Sequence, residues 1–65
     1  MKHEPYNKVK GKLREKGMTY QDVADELGLS VVSVDNKING KSDFLITEAV
    51  AVAKMLTTDI HIFLP

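Results

Sequence analysis

Sixty-five residues, a formal net charge of zero and no cysteine bound the answer before any motif is read. This length fits one small domain spanning 1–65, and the lack of Cys excludes disulfides and thiolate metal sites and points to a reducing cytoplasm. No apolar run approaches the roughly 18–20 residues of a membrane span, and the start MKHEPYNK lacks a secretory apolar core, so a soluble intracellular chain with no membrane partner is expected.

The zero net charge hides an uneven distribution. Residues 1–17 carry Lys2, Lys8, Lys10, Lys12, Arg14 and Lys16 against Glu4 and Glu15. Residues 18–36 have no Lys or Arg but hold Asp22, Asp25, Glu26 and Asp35. The remainder balances Lys37, Lys41 and Lys54 against Asp43, Glu48 and Asp59. A basic arm therefore leads into an acidic middle.

Pro5 suits the first turn of a helix, where its missing N–H is no loss. Tyr6, Val9 and Leu13 then repeat at helical spacing and Gly17 stops the pattern, which predicts a helix over 5–16. Gly11 weakens it by up to about 1 kcal/mol relative to Ala. Thr19 can cap a second helix over 20–27, with the Asp22 carboxylate in its first turn. Val23, Ala24 and Leu27 form its apolar face, and Gly28 ends it in the left-handed conformation that glycine adopts without strain.

Only Leu29 separates Gly28 from Ser30, which caps a third helix over 31–39. Val31, Val34 and Ile38 share its inner side, and Gly40 ends it. Two short helices joined so tightly are held at a steep angle, a pose that lets the second enter a DNA major groove. Lys41 to Ile46 reads as a loop with apolar anchors. Thr47 is expected to cap a fourth helix over 48–56, with Val50, Ala53 and Leu56 inward. Asp59 can cap a last turn over 59–64, although Ile60, Ile62 and Leu64 also alternate as a strand would; a short helix or irregular apolar tail is expected. The fold class is all-α, a four- to five-helix bundle whose core draws on Val23, Ala24, Leu27, Val34, Ile38, Val50 and Leu56.

The segment REKGMTYQDVADELGLSVVSVDNKINGK resembles the helix-turn-helix of Cro-type and phage-repressor-type regulators, the XRE family, with the motif at 20–39. NKINGKSDFLITEAVAVAKML is similar to small repressor-like proteins of phages and mobile elements in Gram-positive bacteria. The most specific elements are Ala24, Gly28, Val34 and Ile38 at their mutual spacing, followed by Asn39-Gly40-Lys41, and the likeness runs from about Lys8 to Leu64. It implies a lambda-repressor-like domain in the bacterial or phage-infected cytoplasm that binds double-stranded operator DNA, commonly as a homodimer, with the third helix in the major groove. Base-reading positions would be Ser30, Val31, Val32, Ser33 and Asn36; phosphate contacts would be Tyr20, Gln21, Asn39 and Lys41. Tyr20 stands where Gln is frequent, Val31 and Val32 where Arg, Gln or Ser is usual.

The residues support a reading face on their own terms. At about 100° per residue, Val32, Ser33, Asn36 and Asn39 lie opposite Val34 and Ile38, and Lys37 and Asp35 flank them. An outward Val suits a thymine methyl and Asn36 suits adenine, although a lone exposed Val is also common on inert surfaces. The cations of the first helix point in several directions, as a solvated face does, so Lys41 is the better phosphate candidate.

Other chemistries have little behind them. Asp22, Asp25 and Glu26 share a helix face, but no loop adds the oxygens a cation needs, so a solvated face is expected. His3 and His61 are not spaced as a zinc pair and no nucleophile has an obvious base beside it. No phosphate-cradling Gly-rich loop is present. An enzyme, a metal, a cofactor or a small-molecule ligand is therefore not expected. The apolar segment Ile60, Ile62, Phe63, Leu64 is too dense for all of it to face a core, and the excess suggests a dimer surface. A protein-interaction module, such as an antirepressor of the same fold, is the competing reading, kept open by the acidic middle and the zero net charge.

Overall fold

The computed structural model describes residues 3–64, and among them every regular element is helical. In chain order these are α1 (Asn7–Lys16), α2 (Tyr20–Leu27), α3 (Val31–Ile38), α4 (Ile46–Met55) and a 3₁₀ turn (Ile60–Phe63). The chain is a small all-α bundle in which α2 packs on α3 and α4, and the 3₁₀ turn closes against α1 and α4. Val9, Leu13, Val23, Ala24, Val34, Ile38, Val52 and Leu56 form one buried cluster, so each of the four α-helices contributes to a single core.

Local chemistry sets α2 and α3. Thr19 Oγ1 accepts the Asp22 N–H at 3.3 Å while the Asp22 carboxylate accepts the Thr19 N–H at 2.8 Å, a reciprocal cap. Gly28 has φ 68°, and the chain doubles back so that the Leu29 N–H reaches the Ala24 carbonyl at 2.9 Å. Ser30 then accepts the Ser33 N–H at 3.1 Å and starts α3. Three residues suffice to end one helix and begin the next.

Several boundaries and core assignments differ from the expectation. α1 starts at Asn7 rather than at residue 5, because Tyr6 at φ −81° and ψ 79° lies outside the helical range and serves as the N-cap, its N–H donating to the Ile38 carbonyl at 2.9 Å. Residues 3–6 instead form a strap over the end of α3, with the His3 N–H on the Gly40 carbonyl. α3 ends at Ile38 with Asn39 as its cap. α4 begins two residues early, at Ile46, and Thr47 lies inside it. Its start is fixed by Glu48 Oε1, which accepts the Leu45 N–H at 2.9 Å, so no hydroxyl cap is used.

The inward set of α4 is Ala49, Val52, Ala53 and Leu56, whereas Val50 is 37 % exposed. Small Ala49 and Ala53 let α4 approach its neighbours closely, and that turns Val50 outward. Leu27 is half-buried at the edge of the cluster. α4 ends with Thr57 at φ 51°, the Thr58 N–H meeting the Ala53 carbonyl; a β-branched residue thus occupies the left-handed position that glycine fills at the other helix ends.

Lys37 Nζ bonds Glu48 Oε1 and the Asp43 carbonyl, both at 2.9 Å, and ties α3 to α4. Burial opposes ionisation of Glu48, but the Leu45 N–H and then the Lys37 ammonium hold its pKa below the ordinary value of 4.5. A carboxyl depressed by folding contributes stability that is complete above its unfolded value and is lost as pH falls through the lower folded one. The thermal midpoint is therefore expected to drop below about pH 4.5, and Glu48→Gln to flatten that acid limb. At neutral pH the same variant should lose about 1–2 kcal/mol, read by urea denaturation; an unchanged acid limb would remove Glu48 from this role.

Candidate nucleic-acid interface

Inside the bundle Val34 and Ile38 are fully buried, which fixes the rotation of α3 and leaves its opposite side outward. Val32 is 68 % exposed on that side, whereas Val31, 37 % exposed at the tip of the helix, is turned towards the inner side with Val34 and Ile38. Asn36 follows Val32 by one turn, on the same face. It is half-buried, and its side-chain amide has no hydrogen-bond partner among the described residues. Its carbonyl accepts the Lys41 N–H at 2.8 Å, so the peptide closing α3 carries Lys41 just past the helix end, where its side chain is exposed.

The other expected contact residues are engaged elsewhere. Ser30 and Ser33 hydroxyls bond each other at 3.1 Å within the cap. Asn39 donates to the Asp35 carbonyl and carboxylate at 3.0 and 2.7 Å and accepts from Lys10, so it braces α3 against α1. Gln21 donates to Asp25 at 2.8 Å. Tyr20 lies half-buried against the core. The backbone N–H groups of Tyr20 and Gln21, however, have no partner among the described residues, as befits the first turn of a helix.

The electrostatics of this side are lean. Asp22, Asp25 and Glu26 are exposed on α2, and Asp22 and Asp25 are spent on the Thr19 cap and on Gln21 rather than converging on a shared point. Lys37 is turned away into its pair with Glu48. His3 and His61 stand apart: His3 stacks on Tyr6 and reaches the Ser42 carbonyl at 2.9 Å, whereas His61 pairs with Asp59 at 2.8 Å. The role of His3 in the strap carried no sequence signal, because the partners that tie it to the fold, the Gly40 and Ser42 carbonyls, lie far along the chain, Ser42 by 39 residues. Lys2 lies outside the described residues.

A second surface lies at the start of α4. The tail divides: Ile62 and Phe63 pack on the core, with Phe63 edge-on to Tyr6 and Phe44 at 5.1 and 5.2 Å between ring centres, while Ile60 and Leu64 are exposed. Part of the segment thus closes the core, as its density implied, and the aromatic cluster that draws Phe63 inward removes Ile62 and Phe63 from the expected dimer surface. Ile60 and Leu64 instead join Leu45 and Ile46, the latter 75 % exposed, around a groove of about 270 Å³ floored by Ala49, Phe44 and Phe63. Val50 lies one turn beyond Ile46. No helix of the described residues is long and apolar enough to cross a membrane. Comparison with protein-family models, with curated proteins and with solved structures found no match to this chain.

Proposed function

We propose that this chain is a sequence-specific, double-stranded DNA-binding transcriptional regulator that acts as a homodimer and represses by occluding a promoter. The observation that carries this is the outer face of α3, where exposed Val32 stands one turn from an Asn36 amide that no other described side chain or backbone group engages, on a helix packed against α2. Such a face suits base edges and has little use in solvent. The unpaired Tyr20 and Gln21 N–H groups and the Lys41 ammonium flank it and suit phosphate oxygens.

The dimer contact in this reading is the apolar groove with its rim. Its lining includes no Asp, Glu, Lys or Arg, and it sets protruding Leu45 and Ile46 beside a recess floored by Ala49. Knob and hole on one surface are what an isologous pair needs. Phe63→Asp would damage the core, so Ile46→Asp is the cleaner test. Sedimentation should show wild-type dimers converted to monomers, with affinity lost on a two-half-site duplex and retained on a single half-site. A monomeric wild type at high concentration would dismiss the dimer.

The deciding experiment is selection of bound duplexes from a random pool, with the winner retested across salt. A specific winner is expected, with a shallow salt slope because so few cations face the interface, and Lys41→Ala should lower that slope by about one. One observation favours the competing class: the side bearing α2 exposes Asp22, Asp25 and Glu26, and residues 18–36 hold no Lys or Arg. An acidic, partly apolar face fits a basic protein partner, as in an antirepressor. Absence of any salt-sensitive duplex binding would give that reading the lead.

A further inference from the structure

We infer that the base pairs read by α3 are A·T pairs, an inference that rests on the DNA-binding reading and specifies its target. Guanine is recognised in the major groove through O6 and N7 by Arg or Lys, and cytosine through its N4 donor by Asp or Glu. The outer face of α3 offers neither. Residues 18–36 contain no Arg or Lys, Lys37 is committed to Glu48 and the Asp43 carbonyl, and Lys41 lies past the helix end. The one carboxylate on α3, Asp35, is half-buried and takes the Asn39 amide at 2.7 Å. Gln21, which could read adenine from α2, donates its amide to Asp25, and Ser30 donates its hydroxyl to Ser33, whose own O–H can meet any base acceptor and so selects no one base pair.

What remains is methyl groups and one amide. Val32 presents branched apolar carbons, the complement of the thymine C5-methyl, and the free Asn36 amide presents the donor and acceptor that match adenine N7 and N6. Val32 and Asn36 are four residues apart, about 6 Å along the helix axis. Successive base pairs rise about 3.4 Å, so the two side chains address base pairs one or two steps apart. Each half-site therefore contains a short A·T core read by one methyl contact and one bidentate amide.

The test uses the full chain and the duplex that wins selection, remade with deoxyuridine in place of thymine so that only the C5-methyl is removed. Binding of the wild type is expected to weaken roughly fourfold for the methyl that Val32 covers, the factor for about 0.8 kcal/mol of buried methyl. Val32→Ser, a surface change that leaves the core intact, should abolish the uridine penalty. Asn36→Ala should lose roughly tenfold or more and relax the choice of base at the position that Asn36 addresses. A winner with G·C pairs under α3, or equal binding of thymine and uridine duplexes, overturns the A·T assignment and leaves DNA binding standing. Failure to bind any duplex in a salt-sensitive way overturns both.

Discussion

Gly40→Ala is expected to remove roughly 2–4 kcal/mol of stability, most of what a domain of this length holds. Two effects combine at this residue. Gly40 sits at φ 91°, in the left-handed region, where it lets the Lys41 N–H fold back onto the Asn36 carbonyl. A side chain in this conformation costs on the order of 1–3 kcal/mol. In addition, a Cβ would overlap the His3 carbonyl oxygen and lie 3.0 Å from the His3 carbonyl carbon, so backbone rather than a yielding side chain blocks it. The strap must lift, releasing the His3 N–H from Gly40 and loosening the Tyr6 N–H from Ile38. Urea denaturation gives the total. A cycle with a chain lacking residues 1–4 separates the parts, because without the strap only the dihedral strain should remain. Equal losses with and without residues 1–4 would show that the strap does not press on Gly40, and a wild-type midpoint would dismiss both effects.

The α2–α3 pair was legible because everything that builds it is local. Thr19, Asp22, Gly28 and Ser30 act on backbone groups within five residues of themselves, and α2 runs over Tyr20–Leu27 as their spacing implies. The buried pair Val34 and Ile38 followed from periodicity in the same way. What failed depended on partners distant in sequence. α4 is started by Glu48, whose own position is set by Lys37 eleven residues earlier, so a nearby hydroxyl at Thr47 was a false signal. Within α4 the run Ala49-Val50-Ala51-Val52-Ala53 is apolar on several sides, and only the neighbours decide that the small alanines go inward and Val50 outward.

Within the candidate interface the same division holds. Periodicity placed Val32 and Asn36 on the outer face of α3, where they are found. It could not show that Asn39 is consumed by Lys10 and Asp35, or Gln21 by Asp25, because side-chain commitments depend on rotamers and on α1 lying alongside. The two asparagines of NKING therefore differ in what they can do. Asn36 keeps a free amide, whereas Asn39 is a brace, and Asn39→Ala should weaken the fold more than it alters any base preference.

The largest effect is expected from Val34→Asp, which should leave the chain unfolded at neutral pH. Val34 has no exposed surface and sits in the cluster formed by Val9, Leu13, Val23, Ala24, Ile38, Val52 and Leu56, where nothing polar waits to receive a carboxylate. An unpaired buried charge costs more than the about 3–5 kcal/mol that a core of this size supplies. The shape change alone is milder: Val34→Ala removes two methyl groups and should cost roughly 2 kcal/mol, leaving a folded but less stable domain. Burial also raises the pKa of a carboxyl, because the neutral form is the one that can enter the core. Acidification should thus recover part of the helical circular-dichroism signal of Val34→Asp, up to the point where the depressed Glu48 begins to take its proton and the native pairing with Lys37 is lost. Recovery should therefore pass through a maximum as pH falls. A Val34→Asp chain that melts like wild type at neutral pH would mean that α3 is rotated from the orientation described, with Val34 outward. The assignment of Val32 and Asn36 to the reading face would fall with it.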